Sequence, residues 1–308
     1  MHTIASKLVV SPVPVVTDTV LNFTPPANGL TYRALLYELR DKVTGVTSNI
    51  VPNWFGVAIP SPNTFDLSGD VYVIIYFHPT PLQAHYRDAD YPAKAGTAGG
   101  TPWKQLYAYV DRLGGQMVGA IQAGKPANRV TIFPFLTEAQ YTLSTSEWFN
   151  VIHDILQDIN KNLVSGICTR PKKIIVATLS NGGKYLNRFL GEASGLPDDS
   201  KIIEAWDFDS RFSQGPLLVD PHGKRLRAYW QGAVPANTPT KTYIHLPTVS
   251  PNSWQNFPTP PPAEIPPLPP NPPNSVSGPD GSPPDKAHHC IRDTMFLDAV
   301  FNIESDNP

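Results

Sequence analysis

The fold is decided by the stretch Ile174-Ile-Val-Ala-Thr-Leu-Ser-Asn-Gly-Gly-Lys-Tyr-Leu-Asn-Arg-Phe189. It opens with a mostly apolar, β-branched run, which is typical of a strand buried on both faces of a parallel sheet. Ser180 follows this run directly, and a helix is predicted to begin near Asn181. A sharp strand-to-helix turn of this kind exposes a serine hydroxyl above the sheet, and the small residues Gly182 and Gly183 let strand and helix approach each other.

Similar apolar runs flanked by turn residues recur along the chain. They predict six more strands, Tyr32–Leu39, Val71–Phe77, Val130–Phe135, Ile202–Phe208, Leu226–Trp230 and Thr242–Leu246. The proline-interrupted stretch Ile4–Val16 indicates an edge strand rather than an export signal. Apolar residues at helical spacing predict helices over Trp103–Gln122 and Ser146–Leu163, the second preceded by a Ser144/Glu147 capping box. The alternation predicts an α/β fold, a mostly parallel central sheet with helices on both faces, in a single domain over residues 1–308.

Composition and charge exclude several classes of function. The 308 residues are 41% hydrophobic, which is enough to bury a sizeable core. A formal charge of −2 gives no field to attract nucleic acid. No run approaches the roughly 18 apolar residues that span a bilayer, and the two cysteines lack the spacing of a zinc site. We therefore expect no nucleic-acid partner, no membrane span, no metal and no cofactor, in a soluble protein that is cytoplasmic rather than secreted. A removed leader and the oligomeric state stay open.

Residues 258–284 interrupt the pattern with a proline-rich segment that contains Pro266-Pro-Leu-Pro-Pro-Asn-Pro-Pro273. Such a run forms neither a helix nor a central strand. We expect a loop inserted before the last helix and held across the protein surface. The alternative is a ligand for proline-binding modules.

The segment Thr178-Leu-Ser180-Asn-Gly182 resembles the nucleophile elbow of the α/β-hydrolase superfamily, written G-x-S-x-G, with Thr178 in place of the first glycine. The resemblance implies that Ser180 is a nucleophile and that the backbone N–H of Asn181 binds the oxyanion. The alternative is an ordinary turn in which Ser180 caps the helix.

The strand two before the elbow ends Tyr76-Phe-His78-Pro-Thr80, where the family often has His-Gly. Because Pro79 has no N–H, Thr80 would be the second oxyanion donor, and His78 would border the substrate site. A metal site built from His78, His85, Asp88 and Asp90 is the alternative for this segment.

In this superfamily the catalytic acid and then the histidine follow the serine along the chain. The strand after the elbow helix ends in Asp207 and Asp209, at the position used by pancreatic-type lipases, and the residues after the next strand include no acid. His288 and His289 precede the last helix, where the family's histidine lies. Either acid and either histidine fits, although His289 is favoured because the helix opens directly behind it.

These residues together predict a serine hydrolase that cleaves a small-molecule ester or acyl substrate through a Ser-His-Asp triad and an acyl-enzyme. Trp206, with Trp230 and Trp254, would suit an apolar acyl pocket, and core packing explains the same residues. The rival prediction is a hydrolase-fold protein without catalysis, which uses its proline-rich segment as a binding or scaffold module.

Overall fold

The computed structural model describes residues 2–10, 32–41, 44, 54–61, 64–77, 128–134, 142–179, 182–208, 225–231 and 243–246, together with Phe296, Ala299 and Val300. Within these residues, nine strands form one sheet. They are β1 His2–Val10, β2 Tyr32–Asp41, β3 Trp54–Pro60, β4 Tyr72–Phe77, β5 Arg129–Pro134, β6 Lys173–Leu179, β7 Ile202–Phe208, β8 Arg225–Gln231 and β9 Tyr243–Leu246. Two helices are described in full, α1 Thr145–Asn162 and α2 Gly183–Ala193, and a short 3-10 turn covers Asp199–Lys201.

The strands lie in the order β1-β2-β3-β5-β4-β6-β7-β8-β9. From β5 to β9 all neighbours are parallel, whereas β1, β2 and β3 pair in antiparallel fashion and β3 is antiparallel to β5. The sheet is therefore mixed, with the predicted parallel arrangement in its central and C-terminal part.

The central strands read as continuous apolar runs because both of their faces are buried. In β4 every side chain is buried, and consecutive residues point to opposite faces. Phe77 packs against Trp148 of α1 and Tyr185 of α2, whereas Tyr76 packs against Phe296 on the other face. The helical residues Phe296, Ala299 and Val300 are all fully buried, so helical structure covers both faces of the sheet.

The predicted capping box begins α1 as expected. Ser144 is the N-cap, its N–H donates to Glu147 Oε2 at 2.9 Å, and its hydroxyl accepts from the Glu147 N–H. Tyr37 of β2 donates to Asp158 Oδ2 at 2.9 Å, which joins the C-terminal half of α1 to the sheet. Helix α2 ends near Gly195, whose φ of 80° suits glycine best, two residues before Pro197.

The strand β3 was absent from the sequence prediction. Its sequence Trp-Phe-Gly-Val-Ala-Ile-Pro contains both Gly56 and Pro60, which indicate turns rather than strands. The sheet tolerates Pro60 because β3 pairs with β5 only over residues 55–58, so the proline lies beyond that ladder. Residues 2–10 form the predicted edge strand. The predicted helix Trp103–Gln122, the proline-rich loop 258–284 and residues 11–16 lie outside the described residues.

Helices α1 and α2 are joined at the start of α1 by a carboxylate. Glu192 Oε2 accepts from the Thr145 backbone N–H at 3.0 Å, and Glu192 Oε1 accepts from Arg188 Nε at 2.7 Å. Partial burial raises the pKa of Glu192, but the bonds from Arg188 and Thr145 outweigh burial, so the pKa is lowered from its ordinary value of 4.5. The ionised carboxylate is thus the form that stabilises the folded state.

We expect Glu192→Gln to lower the free energy of unfolding by about 0.5–1 kcal/mol at pH 7, discounted because the Glu192 side chain is partly exposed. A depressed pKa contributes stability that is present above the unfolded-state pKa and is lost as the pH falls through the folded-state value. The difference between parent and variant should therefore shrink on acidification below about pH 4.5. Urea unfolding from pH 7 to pH 3 measures it, and a difference that stays constant over this range would contradict the assignment.

Candidate active site

The carboxyl ends of β4, β6 and β7 lie side by side at one edge of the sheet. Phe77 pairs with Thr178, and Thr178 pairs with Asp207. The Thr178 hydroxyl donates to the Phe77 carbonyl oxygen at 3.3 Å, which adds a side-chain bond to this pairing. Parallel sheets bind ligands at the carboxyl ends of their strands. Any group that directly follows these three strands in the chain therefore emerges at the edge where a ligand binds.

The turn between β6 and α2 is short. Strand β6 ends at Leu179 and the N-cap of α2 is Gly182, so the two residues between them are Ser180 and Asn181. Gly182 carries no side chain, and no side chain caps the helix there. Gly182 itself has helical backbone angles, φ −62° and ψ −19°. Both roles predicted for Ser180, a nucleophile and a capping serine, therefore stay predictions. The helical backbone of α2 reaches back at least to Gly182, next to the predicted start near Asn181.

The beginning of α2 leaves backbone N–H groups without intrahelical acceptors, as every helix N-terminus does. No acidic residue lies in its first turn, so no carboxylate of that turn neutralises the positive end of the helix dipole. This arrangement favours a negative charge placed just before the helix.

Aromatic side chains pack the last residue of β4 against α1 and α2. Phe77 lies with its ring centroid 5.5 Å from that of Trp148, 6.0 Å from that of Tyr185 and 6.2 Å from that of Phe189. Tyr185 and Phe189 belong to α2, so the first two turns of this helix are fixed against β4. The turn between Leu179 and Gly182 is thus held at both ends by buried structure.

Asp207 is fully buried within β7. Trp206 and Phe208 face the side on which Phe296 lies, so the intervening Asp207 faces the side covered by α1 and α2. Its register partner is Thr178, two residues before Ser180. Asp209 lies outside the described residues, one position beyond the end of β7.

Trp206 is fully buried on the opposite face of the sheet. Its indole Nε1 donates to Glu204 Oε2 at 2.7 Å, and its ring contacts Phe296 at a centroid distance of 5.9 Å. The substrate-binding role predicted for Trp206 stays a prediction. Glu204 and Phe296 had no place in the predicted site, although the alternation of β7 puts Glu204 on the same face as Trp206.

Several predicted site residues lie outside the described residues. They are Ser180, Asn181, His78, Thr80, Asp209, His288 and His289, together with His85, Asp88 and Asp90 of the alternative metal site. Among other histidines, His153 belongs to α1 with Nε2 3.1 Å from Asp198 Oδ2, and His245 lies in β9. In the part of the chain that the structure describes, no group of three metal-ligating side chains comes together, and none of the helices is long and apolar enough to cross a bilayer.

Strand order and direction identify the fold. Counted from β2, strand β3 is antiparallel to both of its neighbours, β2 and β5. The strands from β5 to β9 are all parallel. Their spatial order follows the chain order except that β5 lies before β4. The fold is of the α/β-hydrolase type. In this order β6 occupies the position of the strand that precedes the nucleophile elbow in α/β-hydrolases, and β1 is an additional strand at the edge of the sheet. The resemblance drawn from the elbow sequence is confirmed at this level.

Three solved esterase structures are similar to this α/β-hydrolase-type chain. The rice cell wall degrading esterase LipA from Xanthomonas oryzae is 15% identical, with 67% of this chain and 48% of LipA covered at a TM-score of 0.35. A glucuronoyl esterase from Teredinibacter turnerae is 9% identical, with 67% and 44% covered at a TM-score of 0.32. The feruloyl esterase module from Clostridium thermocellum, solved with sinapinate, is 8% identical, with 65% and 78% covered at a TM-score of 0.35.

This chain spans about half the length of the Xanthomonas esterase. The substrates in these names are those of the three proteins named. No protein-family model and no curated protein matches the sequence.

Proposed function

We propose that this chain is a serine hydrolase that cleaves small-molecule carboxylic esters, with Ser180 as its nucleophile. The observation that carries the proposal is the short connection between the parallel strand β6, buried from Ile174 to Leu179, and helix α2, with Ser180 as the first residue after the strand. A nucleophilic serine needs such a turn because its hydroxyl must stand clear of the sheet next to free backbone N–H groups.

The proposed reaction proceeds through an acyl-enzyme. Ser180 Oγ attacks the ester carbonyl while the imidazole of His289 or His288 takes its proton, and the backbone N–H groups of Asn181 and Thr80 bind the oxyanion. The protonated imidazole then gives its proton to the leaving alcohol. Water, activated by the same imidazole, hydrolyses the acyl-enzyme, which yields the carboxylic acid and restores Ser180. His78, directly after β4, would border the bound substrate.

The sheet register favours Asp209 over Asp207 as the triad acid. Leu179 pairs with Phe208, and Ser180 and Asp209 are the residues that follow this pair in the chain. Asp207 instead pairs with Thr178, inside the ladder and away from solvent. An acid that orients the histidine has to reach above the sheet, so we assign this role to Asp209 and a structural role to Asp207.

We expect a small fluorophosphonate to add one adduct to the parent protein and none to Ser180→Ala, because only an activated serine reacts with this probe. Intact-protein mass spectrometry measures the adduct. Ser146→Ala, at an exposed position of α1, is the matched control and should label like the parent. A parent protein that takes up no probe would support the rival proposal, a hydrolase-fold binding module without catalysis.

We expect Asp209→Asn to lower kcat for ester hydrolysis by about 10³–10⁴, because the imidazole loses the partner that fixes its tautomer. Asp207→Asn should instead lower the midpoint of thermal unfolding, since it changes a fully buried carboxylate, and should leave kcat of the folded protein within about tenfold. Ester hydrolysis and circular dichroism on both variants decide the assignment. The reverse pattern, with the large kcat loss in Asp207→Asn, would make Asp207 the acid.

A further inference from the structure

Phe296 occupies an aromatic socket on the face of the sheet opposite α1 and α2. Its ring centroid lies 6.1 Å from that of Tyr76, 5.9 Å from that of Trp206 and 6.3 Å from that of Phe208. All four side chains are fully buried. Interiors of this kind are densely packed, so a ring held on three sides has little room to shift.

The socket lies close to the carboxyl ends of β4 and β7, where the proposed active site is placed. Tyr76 is one residue before the end of β4, and Phe208 is the last residue of β7. Phe208 is also the register partner of Leu179, which Ser180 follows directly. Phe296 therefore contacts side chains near the carboxyl ends of β4 and β7, and Phe208 directly precedes the proposed acid Asp209.

Two polar contacts fix the socket and the helical residues within it. The buried Arg129 of β5 donates from Nη1 to the carbonyl oxygen of Val300 at 2.8 Å, one helical turn after Phe296. Glu204 accepts from Trp206 Nε1 at 2.7 Å, which sets the plane of the indole against which Phe296 rests. Anchors at both Phe296 and Val300 determine the position of this helical turn and also its direction along the sheet.

The histidine pair lies shortly before the helical turn of Phe296 and Val300 in the sequence. His289 and His288 precede Phe296 by seven and eight residues. A catalytic imidazole has to be held within about 0.5 Å of its productive position by residues that are themselves locked by packing. The socket is the described structure nearest along the chain that provides such an anchor.

We propose that Phe296, seated on Trp206 and Phe208, is a positioning residue that fixes the catalytic histidine segment relative to Ser180. This inference rests on the proposed function. It also assigns Trp206 to the support of the histidine rather than to contact with the acyl group.

The test compares Phe296→Leu with Phe65→Leu. Phe65 is also a buried phenylalanine, but it belongs to the hydrophobic core that includes Phe77, Trp148 and Tyr185, and it precedes the amino end of β4. Both variants lose a buried ring, whereas only Phe296→Leu disturbs the socket. The second-order rate constant of fluorophosphonate labelling, and kcat and KM for p-nitrophenyl acetate, are measured on samples whose circular dichroism matches that of the parent.

We expect Phe296→Leu to lower the labelling rate constant and kcat by about 10–100-fold with KM within about twofold, because a misplaced base slows attack without changing substrate binding. Phe65→Leu should react like the parent. Equal rates in the parent and Phe296→Leu, or equal losses in both variants, would overturn the inference.

A second variant covers the case in which Phe296→Leu does not fold. Trp206→Phe keeps an aromatic ring in the socket but removes the bond to Glu204, and we expect kcat to fall about threefold to tenfold at constant KM. A raised KM with unchanged kcat would instead make Trp206 a substrate contact and overturn the positioning role.

A parent protein that does not label at all would overturn the proposed function together with this inference. Labelling that depends on Ser180 but not on Phe296 or Trp206 would overturn the inference alone.

Discussion

Tyr76 and Phe77 are consecutive residues of β4 whose rings point to opposite faces of the sheet, and each ring is enclosed by other aromatic side chains. Full burial of one such side chain contributes about 1.5–3 kcal/mol, and a well-placed aromatic pair about 0.5–1.5 kcal/mol more. Aromatic packing on both faces of the sheet therefore fixes the position of β4. Because side-chain positions on both faces are occupied by packing, reactive groups find room only where the strands end.

This constraint explains how the two faces contribute to one site. Phe77 fixes α2, and with it the helix end that follows Ser180. Tyr76 fixes Phe296, and with it the helical turn that follows the histidine pair. Two residues that are neighbours in one strand thus anchor the nucleophile side and the base side of the proposed site.

The sequence contained enough information to predict the parallel part of the sheet and the first helix. Strands β6 and β7 and helix α1 appear within one residue of their predicted bounds, because long apolar runs and a capping box are local signals. Strand β3 was missed because its glycine and proline favour a turn locally, while pairing with strands far away in the chain overrides that preference. The sequence also left the choice between Asp207 and Asp209 open, since the two acids lie two positions apart at the end of one apolar run. Only the structure shows that Asp207 pairs with Thr178 inside the ladder and is fully buried.

The buried polar groups show why this sheet requires more than apolar packing. Arg129 and Glu204 are fully or almost fully buried, and each makes a hydrogen bond on the face that receives Phe296. A buried charge costs several kcal/mol unless it is compensated, so an apolar residue of similar volume would often stabilise such a face as well or better. The polar residues fix the orientation of the groups that they bond. A hydrogen bond to one carbonyl oxygen or one indole N–H requires a defined geometry, which apolar contact does not. Orientation is the property that the proposed triad would need from its support, which gives a reason for burying these two groups on the face that receives Phe296.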